Sequence, residues 1–405
     1  MRTVSKTVIG VDFGTQSARA VLVNAENGEI IYSCRKEYPY NSTPVPAIDC
    51  AENLPCATDY EMTLYELLRN VIPEEYRKTV AGICVDATSL TMVLLAEDGR
   101  ALSELDGWSE AAHARVKLWK YHRAQEKADE ALNLARNLQE PFLGRTGGSI
   151  SCEWMLPKLL EVRDEAPEIY SKIDLAMDLC EFLTFRLTGQ LVRSIGSLSY
   201  KCLWAEDLSF PERTFLNGLR AGFYEEYCHF LRGDVRKLGE CAGVLRSELT
   251  KRWGLPEQIP VATGMLDGHT SLATMGAFEP GDAALIVGTS NVCTVQDRKL
   301  QELKDVCGVA QDGMVTGSCG IDTGQSSTGN MLGWFVEHMA GWQIHREAEE
   351  RKISPHQVLA ERIQKPWENK VIAVDWWSGS RNAPCDLTLR GSMSGLEMDT
   401  KTEDI

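Results

Sequence analysis

Val8-Ile9-Gly10-Val11-Asp12-Phe13-Gly14-Thr15-Gln16-Ser17-Ala18-Arg19 reads as an apolar strand that delivers an aspartate and then a glycine-hydroxyl turn, after which Ala20 to Val23 resume a second strand. This is the shape of a phosphate-binding hairpin. Gly14 permits a close backbone approach that a Cβ would forbid, and Thr15 and Ser17 add hydroxyls to main-chain N–H donors facing a polyphosphate. Asp12, at the strand's end, is placed to hold Mg2+ through water, as hard cations prefer. Neither GxxxxGK[ST] nor GxGxxG occurs in the chain, so the P-loop and dinucleotide-binding readings do not apply. An ordinary hairpin with a Gly-Thr turn fits the same residues, and the segment alone does not separate the two.

Outward from this segment, strand-like runs at 7–13, 18–24 and 29–35 are divided by turn signals, Asn27-Gly28 being the clearest hairpin cue. The spacing predicts a helix over 58–70, then a buried strand from Val80 to Val85 that ends at Asp86. Helical patterns dominate 118–138 and 152–186, with Pro157 and Pro167 at breaks or first turns. A new strand, Ile259 to Thr263, runs into Gly264-Met265-Leu266-Asp267-Gly268, and the expected domain boundary lies near residue 258. The second half restarts with Ala283 to Val287, Gly288-Thr289-Ser290 and Asn291 to Val295. That echo of the opening suggests two related domains facing one nucleotide.

Composition narrows the function classes. The 405 residues are 43% hydrophobic, enough for two cores, and the net charge of −16 argues against nucleic acid or an anionic membrane as main partner. Thirteen cysteines, an odd count without a CxxC pair, fit reduced thiols in a cytoplasmic protein rather than a disulfide framework or zinc site. Lys6 interrupts the apolar start, Val8 to Val11 is short for a signal peptide, and no segment has the apolar length of a membrane span. The sequon Asn41 to Thr43 is read as chance in a chain without a secretory signal. The seven histidines show no metal-ligand spacing.

Matching stretches distributed along the chain then carry a resemblance. They include Asp12-Phe13-Gly14-Thr15, Leu118-Trp119-Lys120, Gly147-Gly148 with Ser151 to Trp154, Leu179 to Phe182, and Leu187-Thr188-Gly189. Lys201 with Leu203-Trp204, Asp267-Gly268-His269, Gly288-Thr289-Ser290, Gly324-Gln325-Ser326, and Asp375-Trp376 with Gly379 and Arg381 continue the series. In these the chain resembles the FGGY carbohydrate kinases of the sugar kinase, actin and Hsp70 superfamily, and within them the L-ribulokinases.

The resemblance implies an α/β fold of two ribonuclease H-like domains with an interdomain cleft: a sugar-binding domain over 1–258 and an ATP-binding domain over 259–405. It implies Asp267 as general base, and sugar contacts from Ser89, Lys201, Asp267 and Asp322. Asp12, Gly14, Thr15, Gln16, Ser17, Gly288, Thr289, Ser290 and Gln325 are expected on the nucleotide side, with Asp12 also facing the metal, while Arg19 reads either as a residue that positions phosphates or as a surface residue ending a short turn. Asp322 stands where the family more often has a glutamate, and Tyr121 where ribulokinases commonly have an aspartate, so Tyr121 is given no role. Trp119 and Trp376 read either as apolar faces for a sugar or as core. The implied reaction is transfer of the ATP γ-phosphate, with Mg2+, to the terminal hydroxyl of a ketopentose, L-ribulose to L-ribulose 5-phosphate, as in L-arabinose catabolism. The expected partners are sugar and ATP alone, with a homodimer left open.

The family normally continues past a segment like Gly395 to Ile405 into helices and a Gly-Gly turn that holds the adenosine, so the second domain is expected to be incomplete here. From that follows the alternative of a catalytically impaired sugar-binding or regulatory relative. An actin- or Hsp70-like ATPase fits the sugar-side motifs less well.

Overall fold

The computed structural model describes residues 5–38, 54–288, 290–363, 370–381, 386 and 388–405. The sequon at Asn41 lies outside them. β1 (Thr7–Phe13) and β2 (Ser17–Asn24) alternate buried and open positions, and Ile9, Val11 and Phe13 point into the core. β3 (Ile30–Glu37) returns after Asn27-Gly28, where Gly28 sits at φ +75°, the left-handed angle such a turn requires.

α1 (Ala57–Val71) buries Tyr60, Leu64, Leu67, Leu68 and Val71, an i, i+4, i+7 stripe that lies on the sheet. It forms the crossover to β4 (Val80–Ala87), which runs parallel to β1 with Asp12 opposite Asp86.

A helical layer follows. β5 (Met92–Leu95) pairs with β6 (Leu175–Asp178) across α2 (Gln125–Leu138), α3 (Met155–Glu165) and α4 (Pro167–Tyr170). Pro157 falls in the first turn of α3, and Pro167 is the first residue of α4, where a missing N–H costs nothing. Two expectations are corrected here. The helix expected over 118–138 begins only at Gln125, and the one expected over 152–186 is interrupted by β6. Leu175, Ala176 and Met177 are all fully or nearly buried, and so short an apolar run has the same pattern in a strand as in a core helix. The chain re-enters a helix at α5 (Leu179–Thr188), where the Asp178 carboxylate caps the Leu179 N–H at 2.7 Å.

β7 (Val192–Ser194) pairs with β8 (Asp234–Arg236) around α6 (Ile195–Lys201), α7 (Arg213–Leu219) and α8 (Phe223–Phe230). β9 (Cys241–Val244), α9 (Ser247–Trp253), β10 (Pro260–Ala262) and β11 (Met265–Leu266) complete the first unit. Its sheet has the order β3-β2-β1-β4-β10-β9, with β11 also beside β4. The boundary expected near residue 258 therefore falls inside this sheet, because β10 and β11 both pair with β4. Gly264 is fixed by packing: a Cβ there would meet the Cys180 carbonyl of α5 at 2.7 Å.

After α10 (Asp267–Met275) a second, wholly antiparallel sheet forms from β12 (Ala283–Val287), β13 (Asn291–Asp297), β14 (Gly308–Gln311) and β15 (Cys319–Gln325), in the order β12-β13-β15-β14. α11 (Thr328–His338), α12 (Trp342–Arg351), α13 (Pro355–Arg362) and the pair β16 (Ile372–Val374) and β17 (Ser392–Ser394) follow. Among the described residues no helix is long and apolar enough to cross a membrane, and the eleven described cysteines are free.

Candidate functional site

The two units enclose a cavity of about 590 Å3. Three carboxylates meet on the side of the first sheet. β1 ends in Asp12 and β4 in Asp86, opposite each other in register, and β11 delivers Asp267 as the first residue of α10. Burial pushes the Asp86 carboxyl up to about 8, the Asp12 charge adds to this, and the Thr270 hydroxyl opposes it. Burial likewise pushes Asp267 up to about 7. The Gly268 N–H, at 2.7 Å from Asp267 Oδ1, and the Lys201 charge hold it from rising further. Asp86 Oδ1 is buried without a hydrogen-bond partner among the described residues.

Around these lie polar groups from both units. Ser89 Oγ, on the segment after β4, is buried and has no hydrogen-bond partner among the described residues. The next residue, Leu90, is held at φ +45° by its N–H bond to Asp178 at 3.1 Å and by the buried Lys158 ammonium, which donates to the Leu90 carbonyl at 3.0 Å. Lys201 ends α6 and stands 3.7 Å from Asp322 of β15, while His269 Nε2 approaches the same carboxylate at 3.8 Å. Burial opposes the charge on Asp322, but His269 and Lys201 outweigh it and hold the carboxyl below its ordinary value. Tyr200 sets its ring edge against His269, with centroids 4.7 Å apart, and anchors by donating to the Gly320 carbonyl at 2.7 Å.

The two turns line the same cavity. Gly14 and Thr15 enter from the first unit, and the Trp119 indole N–H donates to Thr15 Oγ1 at 3.1 Å. Gly288 and Ser290 enter from the second, tied to the start of α11 by bonds from Ser327 N–H to Ser290 Oγ and from Gly329 N–H to the Gly288 carbonyl. Paired glycine-hydroxyl turns, a buried carboxylate in the same cavity and a hydroxyl-lined wall suit transfer of a phosphoryl group to an alcohol.

Comparison with known proteins shows the family. The N-terminal domain model of the FGGY family of carbohydrate kinases matches residues 7–275, and the C-terminal domain model matches residues 283–405. The chain belongs to the FGGY family of carbohydrate kinases. Among its relatives, a ribulokinase of Halalkalibacterium halodurans is 33% identical over 411 residues, covering 99% of this chain and 73% of that protein. A ribulokinase of Mycolicibacterium smegmatis is 35% identical over 411 residues, covering 98% of this chain and 73% of that protein. A crystal structure of xylulose kinase from Rhodospirillum rubrum superposes with a TM-score of 0.74 at 20% identity, covering 98% of this chain and 75% of that one, and shares the two-domain fold.

For this FGGY kinase, an ATP-dependent sugar kinase, most of the residues expected from sequence come together. Asp12, Gly14, Thr15, Ser89, Lys201, Asp267, Gly288, Ser290 and Asp322 all line the cavity. Asp267 lies at a helix start rather than on a free turn, so the N-terminal end of α10 favours its ionised form.

Four expected residues do not line the cavity. Ser17 is buried with its hydroxyl accepting from Arg35 Nε at 3.0 Å. Gln16 is exposed at the far end of the turn, and its carbonyl accepts from the Tyr38 N–H. Arg19 shares the sheet face of Asp12, its register partner, but is exposed. Gln325 donates its side-chain amide to the carbonyls of Asp375 and Gly379, and so tethers that segment. Thr289 lies outside the described residues. Trp119 lines the cavity whereas Trp376 does not. Tyr121, given no role, is bonded to Lys117 and Glu161 in the first unit's interior.

Sequence reasoning missed Asp86, His269, Glu153 and Arg381 as cavity residues. For Asp86 a signal was present, since a polar residue ending a buried parallel strand beside the one that ends in Asp12 faces the same crevice.

Proposed function

We propose that this kinase transfers the ATP γ-phosphoryl group to the terminal hydroxyl of a ketopentose, L-ribulose above others, in the cytoplasm. The observation that carries the reading is the placement of Asp267: a buried carboxylate near neutrality, in one cavity with both phosphate turns and with the unpartnered Ser89 hydroxyl. Lys201 donates to sugar oxygens, and Asp322 and Ser89 accept from sugar hydroxyls. Asp267 takes the proton of the terminal hydroxyl as its oxygen bonds to the γ-phosphorus, and the bond to the β–γ bridging oxygen breaks to release ADP.

Asp12 and Asp86, with an orphaned oxygen between two strand ends, suit a cation that keeps most of its waters, and would hold Mg2+. When bound, Mg2+ supplies charge neutralisation on the phosphates.

A coupled ADP-release assay over L-ribulose, xylulose, ribitol, glycerol and gluconate tests the reading. L-ribulose should give the highest kcat/KM, with some tolerance of ribitol. A clearly higher value for xylulose, glycerol or gluconate overturns the substrate. ATP turnover that no sugar stimulates overturns the transfer. Because Asp267 must be ionised to accept a proton, kcat/KM should rise with pH through about 7.

A further inference from the structure

Arg381 comes from the second unit and crosses to the first. Its Nη2 donates to Glu153 Oε1 at 2.9 Å, across 228 residues of sequence. The guanidinium also lies over the Trp119 ring, with its carbon 5.1 Å from the centroid. Glu153 is itself held in place, since the same Oε1 accepts from His122 Nε2 at 3.0 Å. Burial opposes its charge, but Arg381 and His122 hold the carboxyl down at about 2. The guanidinium is thus fixed at its edge by a carboxylate and on its face by an aromatic ring, before any substrate arrives.

One donor is left over. Arg381 Nε is buried and has no hydrogen-bond partner among the described residues, although Arg381, Glu153 and Trp119 all line the cavity. A buried charged donor left unpaired is costly, and a planar guanidinium held this rigidly spends little entropy in meeting a ligand. Asp322 lines the same cavity and is near enough for each charge to bias the other. An acceptor carboxylate and a donor guanidinium facing one space are matched by a group that both donates and accepts, which is what a sugar hydroxyl does.

We propose that Arg381 is a substrate contact of the sugar site, its Nε–H donating to a hydroxyl oxygen of the pentulose while that hydroxyl donates to Asp322. The assignment rests on the reading of the cleft as a pentulose site. It makes the sugar a bridge between units, because Arg381 and Asp322 belong to the second and Ser89 to the first. Glu153 and Trp119 act through Arg381 as positioning residues.

Steady-state kinetics and thermal unfolding of Arg381→Met, Arg381→Lys and Glu153→Gln test it. Arg381→Met should raise KM for the pentulose about tenfold to a hundredfold, the scale of a hydrogen bond to a charged group, while KM for ATP moves less than about twofold. The thermal shift given by sugar alone should shrink in that variant and the shift given by ATP alone should persist. Arg381→Lys keeps the charge without the Nε donor and should also lose sugar affinity, and it carries the decision if Arg381→Met does not fold. Glu153→Gln should raise the sugar KM by less. A pentulose KM within twofold of wild type in both arginine variants overturns the proposal, as does a parallel rise for sugar and ATP, which is the signature of a purely structural tie. Should the wild-type kinase prefer another sugar class, the pentulose reading falls, and the same comparison made on that sugar still decides Arg381.

Discussion

The turn after β1 and the turn after β12 close alike: Gly14 N–H donates to the Ser17 carbonyl at 3.1 Å, and Gly288 N–H to the Ser290 carbonyl at 3.2 Å. Their flanks differ. β1 sits inside a sheet with β2 and β4 on either side, and Ile9, Val11 and Phe13 are almost wholly buried. β12 is an edge strand whose Leu285 and Val287 are 56% and 71% exposed. The first turn is braced by tertiary packing, including the Tyr38 hydroxyl on the Gly14 carbonyl, whereas the second is braced by hydrogen bonds from the start of α11. A turn's geometry is a local property and repeats with the local sequence; burial depends on what the rest of the chain lays against it.

Asp267, between the two turns, should show the largest effect of any single change. Asp267→Asn keeps the volume and removes the base, so kcat should fall at least about a hundredfold, with sugar binding by calorimetry largely intact. Sugar-dependent ADP release near the wild-type rate would remove Asp267 from the reaction and leave the turns as a binding device only.

The difference in flanks is exposed most directly by paired truncations. Ile9→Ala opens a cavity in the first core and should cost about 2–5 kcal/mol in denaturant unfolding. Val287→Ala removes an exposed side chain and should stay within about 0.5 kcal/mol. Similar losses at both positions would mean that β12 is as well covered in solution as β1, and the contrast between the units would dissolve.

A smaller effect sharpens the comparison at the turns themselves. A Cβ on Gly14 would meet the Ser17 carbonyl at 3.3 Å, tighter than ordinary contact, while one on Gly288 would meet the Ser290 carbonyl at 3.7 Å. Gly14→Ala should raise KM for ATP by about fivefold, equivalent to about 1 kcal/mol, and Gly288→Ala by clearly less. Equal rises would place the phosphates equally against both turns.

How much of this was legible in the sequence follows the same division between local and global. β1, β2, β3 and the Gly28 turn are written in alternation and turn chemistry within a few residues, and they appear where the sequence places them. Resemblance carried Ser89, Lys201, Asp267 and Asp322 into one cavity although they are spread over more than half of the chain. What it could not carry was contact. β6 is hidden because three apolar residues before an aspartate lack a period of their own, and the Gln325 amide was spent on two carbonyls about fifty residues away. Arg381 and Glu153 meet only after both units have folded, so nothing near either residue in sequence announces the pair.

The last comparison concerns charge, where the first unit and the second again part. Asp86 and Asp267 titrate upward in the folded protein, to about 8 and about 7, whereas Asp322 is held below its ordinary value. Between the ordinary carboxylate range and about 8 the folded state binds protons at Asp86 and Asp267 that the unfolded chain does not. Their contribution to stability is therefore fully present below about 4 and is lost as pH rises through about 7 and 8. Asp322 has the opposite sign: its contribution is present above the ordinary carboxylate range and is lost as pH falls through its lowered value. The thermal unfolding temperature measured without Mg2+ should thus decline from about pH 5 to about pH 8 and level off above, and Asp86→Asn, neutral at every pH, should flatten that decline. Because the first unit's buried carboxyls are its source, Asp322→Asn should leave this slope in place and lower stability at neutral pH instead. A wild-type slope that Asp86→Asn does not change would show that Asp86 ionises freely in the cleft, and would remove it as a partner of Asp12.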